Sequence, residues 1–380
     1  MIKILTIIGA RPQIIKAAAL SRAIRNHFSD KILEVIVHTG QHYDEKMSQI
    51  FIDQLGLPAP DYNLNIGSAS HGRQTGRMIE SIEEVLQEEN PDYVVIYGDT
   101  NSTLAGSVAA SKLHIPVVHI EAGLRSFNKS MPEEINRIVC DHLSTLLFSP
   151  TQTGYDNLIR EGFSINQDRP FTPDNPGIYH CGDVMYDNSI FFKEMAGKQS
   201  QILEEQGLTR APFILGTIHR DNNTDQPGRL KAIFSSLAYI SDKHDIPVVL
   251  PLHPRTSKAL EKSPELAAKL KNTPGLRILP PVSFLDMVML ESNCKLVMTD
   301  SGGVQKEAYF FEKPCIILRS ETEWTEIVDA GAGIITDADP ERIKNAFLHF
   351  TTTGLKLNFP QIFGDGKAAE FICRQLLENR

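Results

Sequence analysis

The sequence predicts an α/β protein of two domains, each built on a parallel sheet, and three observations carry that expectation. The chain has 380 residues, past the size at which one hydrophobic core keeps growing, so two domains of roughly 150 to 200 residues are expected. Short apolar runs ending in Gly, Thr, Asp or Ser alternate with longer stretches of helical period, the mark of βα repeats feeding a sheet buried on both faces. The alternation then restarts after a proline-rich stretch at 168–177.

Strands of the first series are expected at 3–9, 34–40, 92–98, 115–120, 145–150 and 177–182, and those of the second at 213–218, 246–252, 276–280, 295–300, 314–319 and 332–336. The boundary is set at 175/176, giving an N-terminal domain over 1–175 and a C-terminal domain over 176–365. A Gly-rich break at 364–366 precedes a last helix over 366–380, which by sequence alone can finish either domain. Parallel sheets bind ligands outside the carboxyl ends of their strands, so two of them facing each other across a cleft bring both rows of loops onto one ligand.

Composition narrows the function classes. A chain that is 41% hydrophobic and 22% charged is a soluble globular one, and disorder and fibre are excluded. A formal charge of -9 without a long basic run leaves no footprint for nucleic acid. The apolar start gives way to Gly9, Arg11, Pro12 and Lys16, so it reads as a first strand instead of a secretory signal, and no apolar window is long enough to span a bilayer. Five scattered cysteines, with no CxxC and no His at metal spacing, fit a reducing cytoplasm, and neither a metal nor a cofactor is expected.

The strand ends carry the chemistry. After the first strand, GARPQIIK (9–16) sets Arg11 and Lys16 beside a helix N-terminus that favours an anion, unless both are ordinary surface charges. Asp99 in YGDTNST (97–103) and Glu121 in HIEAGLRS (119–126) end neighbouring strands, and MPEEINR (131–137) offers Glu133 and Arg137 four apart on a helix face. Carboxylates forced together acquire separated proton affinities, which gives one site both an acceptor and a donor at neutral pH. The alternative is structural, with Asp99 and Glu133 capping helices and Glu121 paired to Arg125. In the second series His219 and Arg220 follow the first strand and His253 follows the next, placed either to hold a phosphate or to serve as loop residues. TDSGGVQKE (299–307) presents Ser301, Gly302 and Gly303 at a helix start as a phosphate cradle, with Glu307 in reach of a ribose diol. Trp324 is either a base-stacking partner or a packed anchor.

Together GARPQIIK, HTGQH, YGDTNSTLAG, HIEAGLRS, MPEEINR, LPLHPRT and TDSGGVQKEA, in this order along the chain, resemble the non-hydrolysing UDP-N-acetylglucosamine 2-epimerases. The resemblance implies two Rossmann-like domains facing across a cleft as in GT-B glycosyltransferases, a last helix that returns to the first domain, a homodimer, a UDP-sugar substrate and a place in surface polysaccharide precursor synthesis. It makes Asp99, Glu121 and Glu133 the acid/base carboxylates and Arg11 and Lys16 cations of the cleft. His219 and Arg220 then lie near the diphosphate, Ser301 and Gly302 cradle phosphate, and Glu307 binds ribose.

The implied chemistry is loss of the C2 proton with anti elimination of UDP from C1, then re-addition of UDP to the 2-acetamidoglucal. Departures from the usual pattern, GARPQ for GTRPE, QHYD for QHRQ, RSETEWTE for RETTERPE and a loop before PEE two residues shorter, resemble the branch acting on UDP-2,3-diacetamido-2,3-dideoxy-glucuronate. The family's allosteric UDP-GlcNAc site, which corresponds here to Gln41, Arg73 and His253, is not carried over, because Asp44 stands where an amide is usual. A GT-B glycosyltransferase, which needs an acceptor, and a non-catalytic UDP-sugar sensor, which needs no proton shuttle, are the competing readings.

Overall fold

The computed structural model describes residues 1–41, 56–165, 168–352 and 356–379, so the departure at Asp44 lies outside the described residues. The chain divides into two compact units, Met1–Asn188 with Gln361–Arg380, and Ser189–Pro360.

Among its described residues the first unit carries strands β1 (Ile2–Ile8), β2 (Ile32–His38), β3 (Tyr62–Asn63), β4 (Tyr93–Tyr97), β5 (Val117–Ile120), β6 (Leu146–Ser149) and β7 (Gly177–His180). They form one sheet in the order β3-β2-β1-β4-β5-β6-β7, every pair parallel. The second unit carries β8 (Ile214–Thr217), β9 (Val248–Pro251), β10 (Leu276–Leu279), β11 (Leu296–Thr299), β12 (Cys315–Ile317) and β13 (Gly333–Ile335). Their order, β10-β9-β8-β11-β12-β13, is again all parallel. Each sheet winds outward in both directions from its first strand, so each is a Rossmann-like α/β domain of the GT-B kind, reversing between β1 and β4 in one and between β8 and β11 in the other. Central strands such as Tyr93–Tyr97 and Leu296–Thr299 are buried along their whole length, as helices on both faces of a parallel sheet require.

The expected strands are all present. Beyond them the sheet gains β3, a two-residue edge piece that is half-buried at Tyr62 and exposed at Asn63, with too little apolar character to register in a pattern search. The boundary expected at 175/176 comes one strand early. Gly177–His180 pairs with Leu146–Ser149, so it completes the first sheet, and the division falls at 188/189 inside the helix Val184–Gln199. The return comes at 360/361.

The last helix, Ala368–Glu378, belongs to the first unit. Phe371 packs against Phe148 and Tyr179 at centroid distances of 6.4 and 5.9 Å, and the Tyr93 hydroxyl donates to the Asn379 carbonyl at 2.7 Å. Its N-terminus is held by Asp187, whose carboxylate accepts from the N–H groups of Ala368 and Ala369 at 3.2 and 2.8 Å. Among the described residues no helix is long and apolar enough to cross a membrane, and no group of three or more His, Cys, Asp and Glu is arranged to hold a metal ion.

Candidate active site

Charge gathers in the first unit where the sheet reverses. Lys16 lies on the helix Arg11–Ala23 after β1, Asp99 follows β4, Glu121 follows β5, and Arg137 lies on the helix Pro132–Leu143. Lys16 Nζ stands 2.7 Å from Glu121 Oε1; Arg137 Nη2 stands 3.4 Å from that same oxygen and 2.6 Å from Asp99 Oδ2. Cation and carboxylate thus alternate along one chain of contacts, nearly buried at Lys16, Glu121 and Arg137 and more open at Asp99, whose side chain is 27% exposed. Burial weakens the charge on Arg137, but Asp99 and Glu121 outweigh it, and its proton is held more tightly than usual.

The backbone is bent to make this contact. Glu121 has φ +73°, a left-handed conformation that costs a residue with a side chain on the order of 1 to 3 kcal/mol. Such strain persists where the surroundings over-determine it, and here Glu121 N and Ala122 N both donate to the Phe148 carbonyl. Gly98 turns at φ +64°, and a Cβ there would stand 3.3 Å from Lys16 Nζ and 3.4 Å from Glu121 Oε1. The turn lets backbone approach the ion pair directly.

A second, wholly buried layer supports the first. His119 offers Nε2 to the Gly98 carbonyl and Nδ1 to Asp141 Oδ1, each at 2.7 Å. Each nitrogen faces an oxygen, a carbonyl on one side and a carboxylate on the other, which fixes the orientation of the ring. Asp141 also holds Arg125 at 2.7 Å and the Gly123 N–H at 3.2 Å. Burial pushes the Asp141 carboxyl up, but His119 and Arg125 together bring it below the usual carboxylate range. The peptide leading into Asp99 is therefore pinned by His119 on one side, while Asn136 Nδ2 donates to the Asp99 carbonyl at 2.9 Å on the other.

The remaining first-unit candidates are placed differently. Glu133 is exposed in the first turn of its helix, and among the described residues no hydrogen bond or ion pair joins it to Asp99 or Glu121. Its neighbour Glu134 is the buried one, accepting from Ser126 N, Ser126 Oγ and Phe127 N at 2.8, 3.0 and 3.0 Å and so fastening the loop before the helix. Arg125 pairs with Asp141 and Glu161, not with Glu121. Arg11 is exposed at the first position of its helix. The anion site expected there is partly filled by protein, since Gln13 Oε1 accepts from Gly9 N and Ala10 N at 3.0 and 3.1 Å.

In the second unit the loops leaving β8, β9 and β11 hold the candidates. The rings of His219 and His253 lie 5.5 Å apart, and His219 Nδ1 is 3.7 Å from Asp300 Oδ1. Burial lowers the His219 pKa, His253 and Arg220 lower it further, and Asp300 opposes them. Arg220 is exposed, as is His253, whose Nδ1 accepts from Arg255 N at 3.2 Å. Ser301 caps the helix Gly302–Phe310, its Oγ accepting from Val304 N, and the first intrahelical bond runs from Gln305 N to the Ser301 carbonyl. The N–H groups of Gly302 and Gly303 therefore open the helix ahead of that bond, the geometry that suits a phosphate. A Cβ on Gly302 would stand 2.0 Å from Glu323 Oε1, the end of a side chain that would have to move aside. Glu307 is half-buried one turn further on. Trp324 is buried, with the Lys306 ammonium 4.3 Å from its ring centroid, which makes it a loop anchor and not a stacking platform.

Sequence reasoning passed over Asp141, Glu134, Asp300 and Glu291. Glu291 is almost fully buried on the helix Phe284–Asn293; burial, with the charge of Glu307 added, drives its carboxyl well above the usual range. One signal was available for Asp300, which directly precedes the Ser-Gly-Gly turn at a strand end. What the first unit can do chemically is hold carboxylates and cations against a substrate; what the second can do is bind phosphate beside histidine.

A family model for UDP-N-acetylglucosamine 2-epimerase matches residues 25–377. The chain is 47% identical over 375 residues to the UDP-2,3-diacetamido-2,3-dideoxy-D-glucuronate 2-epimerase of Pseudomonas aeruginosa, covering 98% of this chain and 99% of the relative. Identity and coverage are the same for a UDP-N-acetylglucosamine 2-epimerase homolog of Methanococcus maripaludis. The crystal structure of Methanocaldococcus jannaschii UDP-GlcNAc 2-epimerase in complex with UDP-GlcNAc and UDP matches with a TM-score of 0.80 at 42% identity, covering 99% of each chain. Spanned almost end to end by that family model and by these relatives, the chain belongs to the UDP-N-acetylglucosamine 2-epimerase family.

Proposed function

We propose that the protein is a non-hydrolysing epimerase that inverts C2 of a UDP-2-acetamido sugar, interconverting UDP-GlcNAc and UDP-ManNAc for surface polysaccharide precursors. One observation carries the mechanism: the alternating chain Lys16, Glu121, Arg137 and Asp99 at the reversal of the first sheet, in a chain of this family. A carboxylate from the group Asp99, Glu121 and Glu133 removes the C2 proton as the C1–O bond breaks and UDP leaves with the bonding pair. The 2-acetamidoglucal then takes a proton on the opposite face of C2 while UDP re-forms the C1–O bond, so atoms and charge balance over the cycle. Arg11, Lys16 and Arg137 hold the carboxylates and the developing charge in place. Ser301, Gly302 and Gly303 cradle the diphosphate beside His219, Arg220 and His253, and Glu307 takes the ribose diol.

A second reading, the same chemistry on UDP-2,3-diacetamido-2,3-dideoxy-glucuronate, is supported by the 47% identity to the Pseudomonas aeruginosa enzyme of that name and by the shortened loop before Glu133. Turnover in deuterated water with each UDP-sugar in parallel tests both: solvent deuterium is expected at C2 of the true substrate, and retained protium during turnover would refute the mechanism. Glu133→Gln is expected to abolish exchange while UDP still binds; loss of both assigns Glu133 a structural part instead. A cytoplasmic homodimer belongs to the same proposal, on the family resemblance alone, and a monomeric mass by light scattering would remove the dimer from it.

A further inference from the structure

The sheet of the second unit reverses between β8 and β11, and one side chain spans that reversal. Asp300 follows β11 directly and is fully buried. Its carboxylate turns back to the loop after β8, where Oδ1 accepts from His219 N at 3.0 Å and Oδ2 from Arg220 N at 3.1 Å and Asn223 Nδ2 at 3.0 Å. Its own N–H donates to the Thr217 carbonyl at 3.2 Å, and Thr217 Oγ1 lies 2.5 Å from Thr299 Oγ1. The Ser301–Gly302 turn is the next thing in the chain. The loop bearing His219 and Arg220 therefore cannot shift without disturbing the carboxylate that leads into the turn. Asn223 extends the tie, donating also to the Leu318 carbonyl at 2.9 Å and accepting from Arg229.

We infer that Asp300 is a positioning residue: through its buried carboxylate it locks the His219–Arg220 loop to the Ser301–Gly302 turn and orients the His219 ring with Nδ1 towards it. This rests on the proposed placing of those residues around the diphosphate. Three charged or titratable groups face the ring, Asp300 from the end of β11, His253 from the end of β9 and Arg220 from the same loop. Burial, His253 and Arg220 favour the neutral ring; Asp300 alone favours the charged one. Replacing the acid and replacing the second histidine should therefore move the titration of His219 in opposite directions.

The test is NMR titration of the His219 ring in the full chain, with UDP affinity and the pH profile of C2 exchange read on the same samples. Asp300→Asn is expected to shift the ring titration to lower pH, to move the acid limb of exchange with it, and to lower kcat/KM about 10- to 100-fold through misplacement. His253→Asn is expected to shift the titration to higher pH. In the wild-type protein the neutral ring is expected to carry its proton on Nδ1, facing Asp300, a measurement that needs no variant. A wild-type ring protonated on Nε2, or a titration unmoved in Asp300→Asn, overturns the inference. His219→Asn separates the two levels: if it leaves UDP affinity and exchange intact, the reading of the site itself fails, whereas if it impairs them and Asp300→Asn does not, only the role of Asp300 fails.

Discussion

Removing the Lys16 charge tests how the carboxylate cluster is held. Lys16→Met keeps the length of the side chain and takes away the ammonium 2.7 Å from Glu121 Oε1. At an effective dielectric of about 20 that contact is worth about 6 kcal/mol of attraction, and the contact that remains, Arg137 at 3.4 Å, about 5 kcal/mol. Desolvation of both partners offsets much of this, and breaking a buried pair from one side costs about 3 to 5 kcal/mol in practice. Because Arg137 stays, the expected loss lies at the low end, about 3 kcal/mol. Glu121→Gln removes the other charge with little change of shape, and the double variant removes both. Urea unfolding of the four proteins, following the transition of the first unit, should give a double variant less destabilised than the sum of the singles by about 1 to 3 kcal/mol. A single-variant cost under about 1 kcal/mol, the value of an exposed pair, or additivity within about 0.5 kcal/mol, would refute the picture of a desolvated, mutually dependent pair.

Two further perturbations read separate features. Gly302→Ala brings a methyl against the end of the Glu323 side chain, which can swing away, so unfolding should change by no more than about 0.5 kcal/mol. UDP binding by calorimetry should weaken about tenfold, or about 1.4 kcal/mol; undiminished affinity would show that phosphate does not sit on that turn. Asp187 is half-buried, and its pKa is pushed from the ordinary 3.8 to about 6, first by burial. A raised acid stabilises the fold below its unfolded value, and that contribution is lost as pH rises through about 6, a swing of about 2 kcal/mol between pH 4 and 7. Asp187→Asn should flatten this fall, although it leaves one carbonyl oxygen to serve two N–H groups; parallel pH–stability curves for the two proteins would contradict the assignment.

The fold was legible because a parallel strand buried on both faces reads as an unbroken apolar run, and Tyr93–Tyr97 or Leu296–Thr299 can be little else. Strand ends likewise exposed Asp99, Glu121 and Ser301 as candidates, since topology alone sends each to the carboxyl edge of its own sheet. Side chains on helices were harder to read. Glu133 and Arg137 share a helix face, yet the first stands in an exposed opening turn and the second is drawn inward by two carboxylates. Asp141 and Glu134 look in sequence like solvent-facing helical acids. Their burial depends on partners delivered by loops and strands, Arg125, Gly123 and His119 for one and Ser126 and Phe127 for the other. A local pattern carries no record of such meetings. The domain boundary failed for a related reason, because a proline-rich loop marks a surface turn whether or not the next strand rejoins the old sheet.

The return of the chain at 360/361 has a consequence for synthesis on the ribosome. The first unit begins first and ends last. Its sheet is complete once β7 has emerged, but the face at Phe148 and Tyr179 waits for Phe371, and the Tyr93 hydroxyl waits for Asn379. Ser189–Pro360 is continuous and can close before then. At roughly 5 to 20 residues per second the interval is on the order of ten seconds or more, during which an aromatic surface stands open on the nascent chain. The second unit to be translated is thus the first able to finish, and a nascent chain arrested between the two events is the form that should engage a chaperone.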